Sequence, residues 1–166
     1  MGFTFENTAI IALVLLTGLS AGLCFTWSNA ITAGIGRLDD LGYLQSFQQM
    51  NRTILNPVFF IVFFGPVFLN LVNIYLFKSS SNTMLILLIT AAAFYFFGVI
   101  IVTIFGNVPL NEMLDKVDLS SARIEELRQL RGKFEVKWNH LHSIRTFTSI
   151  VSFLLLTISL LQNIKQ

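Results

Sequence analysis

Four long apolar runs, over residues 8–35, 57–77, 83–105 and 146–161, hold almost all of the hydrophobicity of this chain. A hydrocarbon core of about 30 Å takes about 20 apolar residues as α-helix, and the first three runs reach that length unaided. The fourth is shorter and is extended upstream by Ile144 and Arg145, whose guanidinium can snorkel to the interface. All four runs are apolar on every face, as membrane spans are and surface helices are not. Only 12% of the 166 residues are charged, against about 25% in a soluble domain, which leaves no room for a sizeable soluble unit. The expected fold is all-α: one integral membrane domain over 1–166, a four-helix bundle with spans near 8–35, 57–77, 83–105 and 142–161.

The first run reads as a retained span. It carries Glu6 where a secretory signal has basic residues, and it is too long for the apolar stretch of one. A lipoprotein reading of Cys24 fails on Leu23, since a small residue is needed there. As the only cysteine, Cys24 can form no intramolecular disulfide and reads as a small buried apolar side chain.

Four spans put both ends of the chain on one side, with the 36–56 and 106–145 loops on the other. Of eleven Lys and Arg, nine fall on the loop side, and only Lys78 and Lys165 on the other. The positive-inside rule then places the loops in the cytoplasm and both termini outside, as in a multi-pass protein of a bacterial inner membrane. Eight of the nine acids also lie on the loop side. The loops therefore carry no strong net field, and with both signs interspersed a nucleic-acid partner is not expected. The partner is the lipid bilayer.

In the first loop, Tyr43, Phe47, Met50 and Ile54 recur at helical spacing and predict an amphipathic helix lying at the interface or capping the bundle. It ends at Asn56–Pro57, an N-cap followed by proline at the first position of the second span. Pro66, inside that span, predicts a kink. In the second loop Asp118, Ser120 and Ser121 are cap candidates. A charged helix with Glu125 and Glu126 in its first turn then leads into the fourth span. On the first span, Gly18-xxx-Gly22 and Ala30-xxx-Gly34 permit close helix approach, within the bundle or between copies in a homo-oligomer.

The polar residues near the ends of the runs collect on the loop side: Asn29, Asn51, Arg52, Asn56, Asn107, Asn111, Trp138, His142 and Arg145. Trp138, His142 and Arg145 share one helix face. His140, about 200° from His142 around the helix, does not. Thr103, Asn107 and Asn111 recur at four-residue steps. Pro109 is expected to stop the third span from continuing as one regular helix and to leave carbonyls near Phe105 for Asn107, Asn111 and Arg145 to satisfy. Phe25, Trp27 and Asn29 place aromatic and amide groups at the same level on the first span. The interiors of the spans lack Asp, Glu, Lys and His, the residues of proton relays and ion pathways. Two histidines and one cysteine make no dedicated metal site. No phosphate loop, catalytic carboxylate pair or serine triad spacing is visible.

Several segments taken together resemble the anthrone-oxygenase-like family of small four-span membrane proteins, much of which has no assigned function. They are Gly22-Leu-Cys-Phe25 through Ser28-Asn29, Gln48-Gln49-Met50-Asn51 with Asn56-Pro57-Val-Phe59, Asn107-Val-Pro-Leu-Asn111, and Trp138-xxx-His142-xx-Arg145-Thr146. The resemblance spans most of the chain in order. It implies oxidation of an anthrone, or of another flat lipophilic compound of quinone type, by dioxygen without a cofactor. On that implication His142 is the candidate base, Arg145 and Asn107 or Asn111 hold the enolate oxygen, and Trp138, Phe25 and Trp27 stack on the rings. Asn29 and Asn51 complete the ligand contacts. The other reading is a non-enzymatic structural or interaction protein in which the same polar cluster only locks helices together.

Overall fold

A computed structural model describes residues 4–164, the side chain of Ile164 excepted, and among these it is helical with no strand. Lys165, counted in the charge asymmetry above, lies outside the described residues. Five helices follow one another: α1 (Phe5–Ile35), α2 (Asp40–Ile54), α3 (Pro57–Leu76), α4 (Asn82–Asp115) and α5 (Ile124–Ile164). All but α2 are long and apolar enough to cross a membrane, which makes this a multi-pass membrane protein.

The starts of the helices follow from their caps. Thr4, Asp39, Asn56 and Ser81 each accept a backbone N–H three residues on, satisfying a donor that the helix itself cannot. Pro57 follows Asn56 at the position where its missing N–H costs nothing. The Asp118–Ser121 segment behaves differently from the cap it resembles. Asp118 closes a turn by accepting from the backbone N–H and hydroxyl of Ser120 and from the hydroxyl of Ser121. Those bonds hold its carboxyl below the usual range. At the start of α5, Glu126 reaches back instead to the Arg123 N–H at 2.9 Å.

The four spanning helices form a ring in the order α1, α3, α4, α5, each packed on its two neighbours. Near the described chain ends, Asn163 donates to Asn7 at 2.7 Å. That half is filled by Ile10, Leu13, Met84, Leu88, Ala91 and Leu156. At mid-depth the Tyr95 hydroxyl of α4 donates to the Phe63 carbonyl of α3 at 2.9 Å and lies 2.8 Å from Ser20 Oγ of α1. One phenol thus ties three helices where no water can serve. On the loop side α2 caps the bundle: Tyr43, Leu44 and Phe47 pack with Leu110, Leu114, Phe134 and Trp138 in a second core. Gln48 fastens this cap by donating to the Leu114 and Val117 carbonyls. Arg131 does the same through Asp40 and the Gly36 and Leu38 carbonyls.

Two spans depart from α geometry. In α1, residues Trp27–Ile31 are π-helical, and in α4 Phe96–Ile101 and Thr103–Asn107 are. The chain therefore runs on through Pro109 to Asp115 where a stop was expected. The Thr103 carbonyl bonds the N–H of Val108, five residues on, and the proline falls in the first turn of the next α segment, where an N–H is not needed. Asn107, Asn111 and Arg145 are consequently free to bond elsewhere.

The α4–α5 contact is closest at Gly98. A β-carbon there would collide with Thr148, whereas one at Gly22 would meet nothing within 4 Å. Gly98→Ala is therefore expected to lower the melting temperature in detergent, with overpacking worth about 1–3 kcal/mol, while Gly22→Ala leaves the monomer unchanged. Equal midpoints for the two variants would show that the helices are not in this contact.

Candidate functional site

A cavity of about 370 Å³ lies between the mid-depth Tyr95–Phe63–Ser20 junction and the loop-side core. The side facing α5 is polar, with Trp138, His142 and Arg145 joined by Thr103 and Asn111 from α4. The side facing α3 is aromatic, with Phe59, Phe60, Phe63 and Phe64 on successive turns. Cys24 and Trp27 come from α1, and Asn51 and Arg52 from the end of α2.

The polar side is built around His142. Its Nε2 lies 3.0 Å from the Cys24 carbonyl, and its Nδ1 lies 2.6 Å from Arg145 Nη2. A carbonyl only accepts and a guanidinium only donates. The ring is therefore neutral with its proton on Nε2, donating to Cys24 and accepting from Arg145. The π-turn at Trp27–Ile31 disturbs the regular bonding of α1 at this point, and Thr146 Oγ also donates to the Cys24 carbonyl, at 3.3 Å. Sequence alone places Cys24 here only as a buried apolar group. Its backbone oxygen is what the site uses.

Arg145 donates a second bond, from Nη1 to Thr103 Oγ at 3.2 Å. Its Nε has no partner. Among the described residues it forms no ion pair, the four that exist all lying elsewhere. A guanidinium inside the bundle, bonded only to neutral groups, sets up a positive potential that no direct ion pair cancels. The Trp138 ring lies 5.3 Å from its central carbon and stacks on His142 at 4.8 Å with 17° between the planes.

Trp138 is held on both sides. Its indole N–H donates to Asn111 Oδ1 at 2.8 Å, and its carbonyl accepts from Asn107 Nδ2 at 3.3 Å. Trp27 packs 5.5 Å from it. Asn107, Asn111, Trp138, His142 and Arg145 thus meet in one place. Asn107 sits behind the cavity wall and acts through Trp138. The carbonyls near Phe105, expected to claim these side chains, do not. Asn51 lines the cavity with its Nδ2 unpartnered.

Phe25 and Asn29 are not part of this constellation. Both stand on the exposed outer face of α1, and neither lines the cavity. Each lies two positions from Trp27, about 200° round the helix, as His140 does from His142. His140 is exposed, as its position on the helix predicts. Sequence reasoning missed the phenylalanines of α3, because within an apolar span a wall residue and a lipid-facing residue look alike. It also missed Tyr95 and Ser20, whose only signal is a hydroxyl deep in an apolar run.

Of the paired small residues on α1, Gly18 is used within the bundle, a β-carbon there falling 2.9 Å from the Phe153 ring, whereas Gly22 and Gly34 face open space.

No curated protein and no solved structure matches this chain. The family model described as anthrone oxygenase matches residues 59–155, more than half of the chain, and takes in Asn107, Asn111, Trp138, His142 and Arg145. The chain belongs to the anthrone oxygenase family.

Proposed function

We propose that the cavity binds a flat, lipophilic aromatic ketone of anthrone type and oxygenates it at the carbon between the rings. The observation that carries this reading is the Arg145 guanidinium, which has an unpartnered Nε, is paired to no carboxylate and faces a cavity with an aromatic wall along α3. It suits a ligand that arrives neutral and becomes an anion in place. The volume, about 370 Å³, falls within the range of roughly 300–1,000 Å³ typical of small-molecule sites.

Such a ketone has an acidic CH2 group, because loss of one proton spreads charge over the rings and onto the carbonyl oxygen. Arg145 holds that oxygen and favours the enolate over the neutral ketone, by electrostatics strengthened in a site away from water. As the guanidinium turns towards the enolate oxygen it releases His142 Nδ1, whose lone pair takes the proton. Nε2 stays on the Cys24 carbonyl and keeps the ring aimed. The enolate carbon then gives its electrons to dioxygen and forms a C–O bond. The proton held by His142 completes a hydroperoxide at that carbon. Loss of the remaining hydrogen as a proton, with cleavage of the O–O bond and departure of hydroxide, leaves a new carbonyl. The CH2 is oxidised to C=O, one oxygen atom is retained and the other leaves as water. Trp27 and Trp138 stack on the rings, Asn51 offers a donor to a second oxygen, and Asn107 and Asn111 position Trp138. The loops are assigned to the cytoplasm on the distribution of Lys and Arg.

Oxygen uptake by the purified protein in lipid nanodiscs with an anthrone as substrate tests this reading. His142→Ala is expected to reduce turnover by about 10²–10⁴-fold, and Arg145→Lys, which keeps the charge but loses the fork, by about 10²–10³-fold. Both should keep a thermal midpoint near that of the parent. Lower midpoints with no substrate-dependent uptake in any variant would favour a purely structural cluster. Asn107→Ala separates positioning from chemistry. It should raise KM through a displaced Trp138 while lowering kcat less than His142→Ala does, and equal losses in kcat would refute its positioning role.

A further inference from the structure

The same side chains that line the cavity also reach the outside of the bundle, and they do so on the lipid face. Phe60 is 44% exposed, Ile104 42% and Val108 37%, yet all three line the cavity. They belong to the two helix segments that draw apart. The body of α3 packs on α1 and on the Asn82–Tyr95 part of α4, and Phe63 reaches Val99 and Ile100. Beyond that point α3 makes no appreciable contact with the Thr103–Asp115 part of α4. The π-turns of α4 fall in this stretch and re-phase that helix where the two part.

The loop-side end is built the other way. There α2, α4 and α5 share a packed core of Tyr43, Phe47, Leu114 and Phe134 with no gap at its centre. The cavity rim beside it is bridged by Arg52 Nε and Asp115 Oδ1 at 2.6 Å. A water-borne ligand meets that ion pair together with Glu112 and Lys116, whereas a bilayer-dissolved one meets the apolar edge of Phe60, Ile104 and Val108.

Resting on the function proposed above, we infer that the cavity is loaded sideways from the acyl-chain region. The mouth is framed by Phe60, Ile104 and Val108, and the ligand is a planar aromatic ketone dissolved in the membrane. It slides between α3 and α4 with its long edge along the phenylalanines and its oxygen leading towards Arg145. The product, as flat and as lipophilic, leaves by the same gap.

The two tryptophans of the chain, Trp27 and Trp138, both stand on the cavity wall, so quenching of intrinsic fluorescence by 9,10-anthraquinone reports occupancy without turnover. Stopped-flow mixing of protein nanodiscs with anthraquinone-loaded vesicles gives the association and dissociation rates. Filling the mouth with Ile104→Phe and Val108→Phe together should slow both rates at least tenfold and leave Kd within about threefold, the signature of a gate rather than of a contact. Phe60→Ala, which widens the mouth and adds no bulk, should raise both rates. Arg52→Ala with Asp115→Ala, which opens the water-side rim, should change the association rate by less than either mouth variant does. Faster association in the rim variant, with no change in either mouth variant, would overturn the lateral route while leaving the ligand reading intact. Absence of quenching in the parent protein would remove the ligand reading, and the route with it.

Discussion

The interior of this bundle is organised around one unneutralised charge. Arg145 sits among transmembrane helices with only His142 and Thr103 as hydrogen-bond acceptors and no carboxylate paired to it. Such a group is tolerated only if its surroundings are arranged for it. The arrangement extends outward in a fixed order. Arg145 donates to His142, His142 donates to Cys24, and the Cys24 carbonyl lies just before a π-turn in the first span. His142 alone accepts on one side and donates on the other, between a group that only donates and one that only accepts, so the proton position on the histidine is dictated by its neighbours. A carboxylate in place of any member would neutralise the guanidinium and cancel the positive potential it sets up.

The cavity beside that charge coincides with two irregular helices. A uniform α-helical bundle of Phe, Leu and Ile would close on itself at the density of a protein interior. Here the π-turns in α1 and α4 shift the register of side chains at one depth. Above that depth α2 closes the bundle with aromatic packing. Below it Tyr95 and Ser20 close it with hydrogen bonds. The opening is therefore confined to a band at the loop-side half of the membrane.

Much of this is written in the sequence at the level of elements and little of it at the level of turns. The length and polarity of the runs fix the spans, and the Tyr43–Phe47 stripe fixes α2 as a cap, because burying an apolar face is a property of whole helices. The convergence of Trp138, His142 and Arg145 follows from helical spacing on one continuous helix. Its partners from α4 follow from the Thr103–Asn107–Asn111 steps. Pro109 misleads because a lost N–H reads as a stop, yet a π-turn placed just before it lets the helix continue. Phe25 and Asn29 mislead because sharing the depth of Trp27 does not put a side chain on its face, residues two apart lying about 200° round the helix. The aromatic wall of α3 is invisible because hydrophobicity does not separate lipid from cavity as an apolar neighbour.

The gradient from aromatic wall to guanidinium bears on why such chemistry belongs in a membrane. An anthrone and dioxygen are both apolar and both concentrate in hydrocarbon, so on the proposed function a site open to acyl chains would meet its two reactants where they are most abundant. The enolate that joins them is charged and would be poorly stabilised there unless a fixed cation replaced water. Arg145 supplies that cation at the inner end of the cavity. A neutral histidine beside it can take one proton without placing a second permanent positive charge in the bundle. On the proposed function, formation of the new carbonyl would remove the negative charge that held the ligand on Arg145 and leave the product bound by stacking alone. Loss of that attraction would favour release, and the site would reset when Arg145 returned to His142.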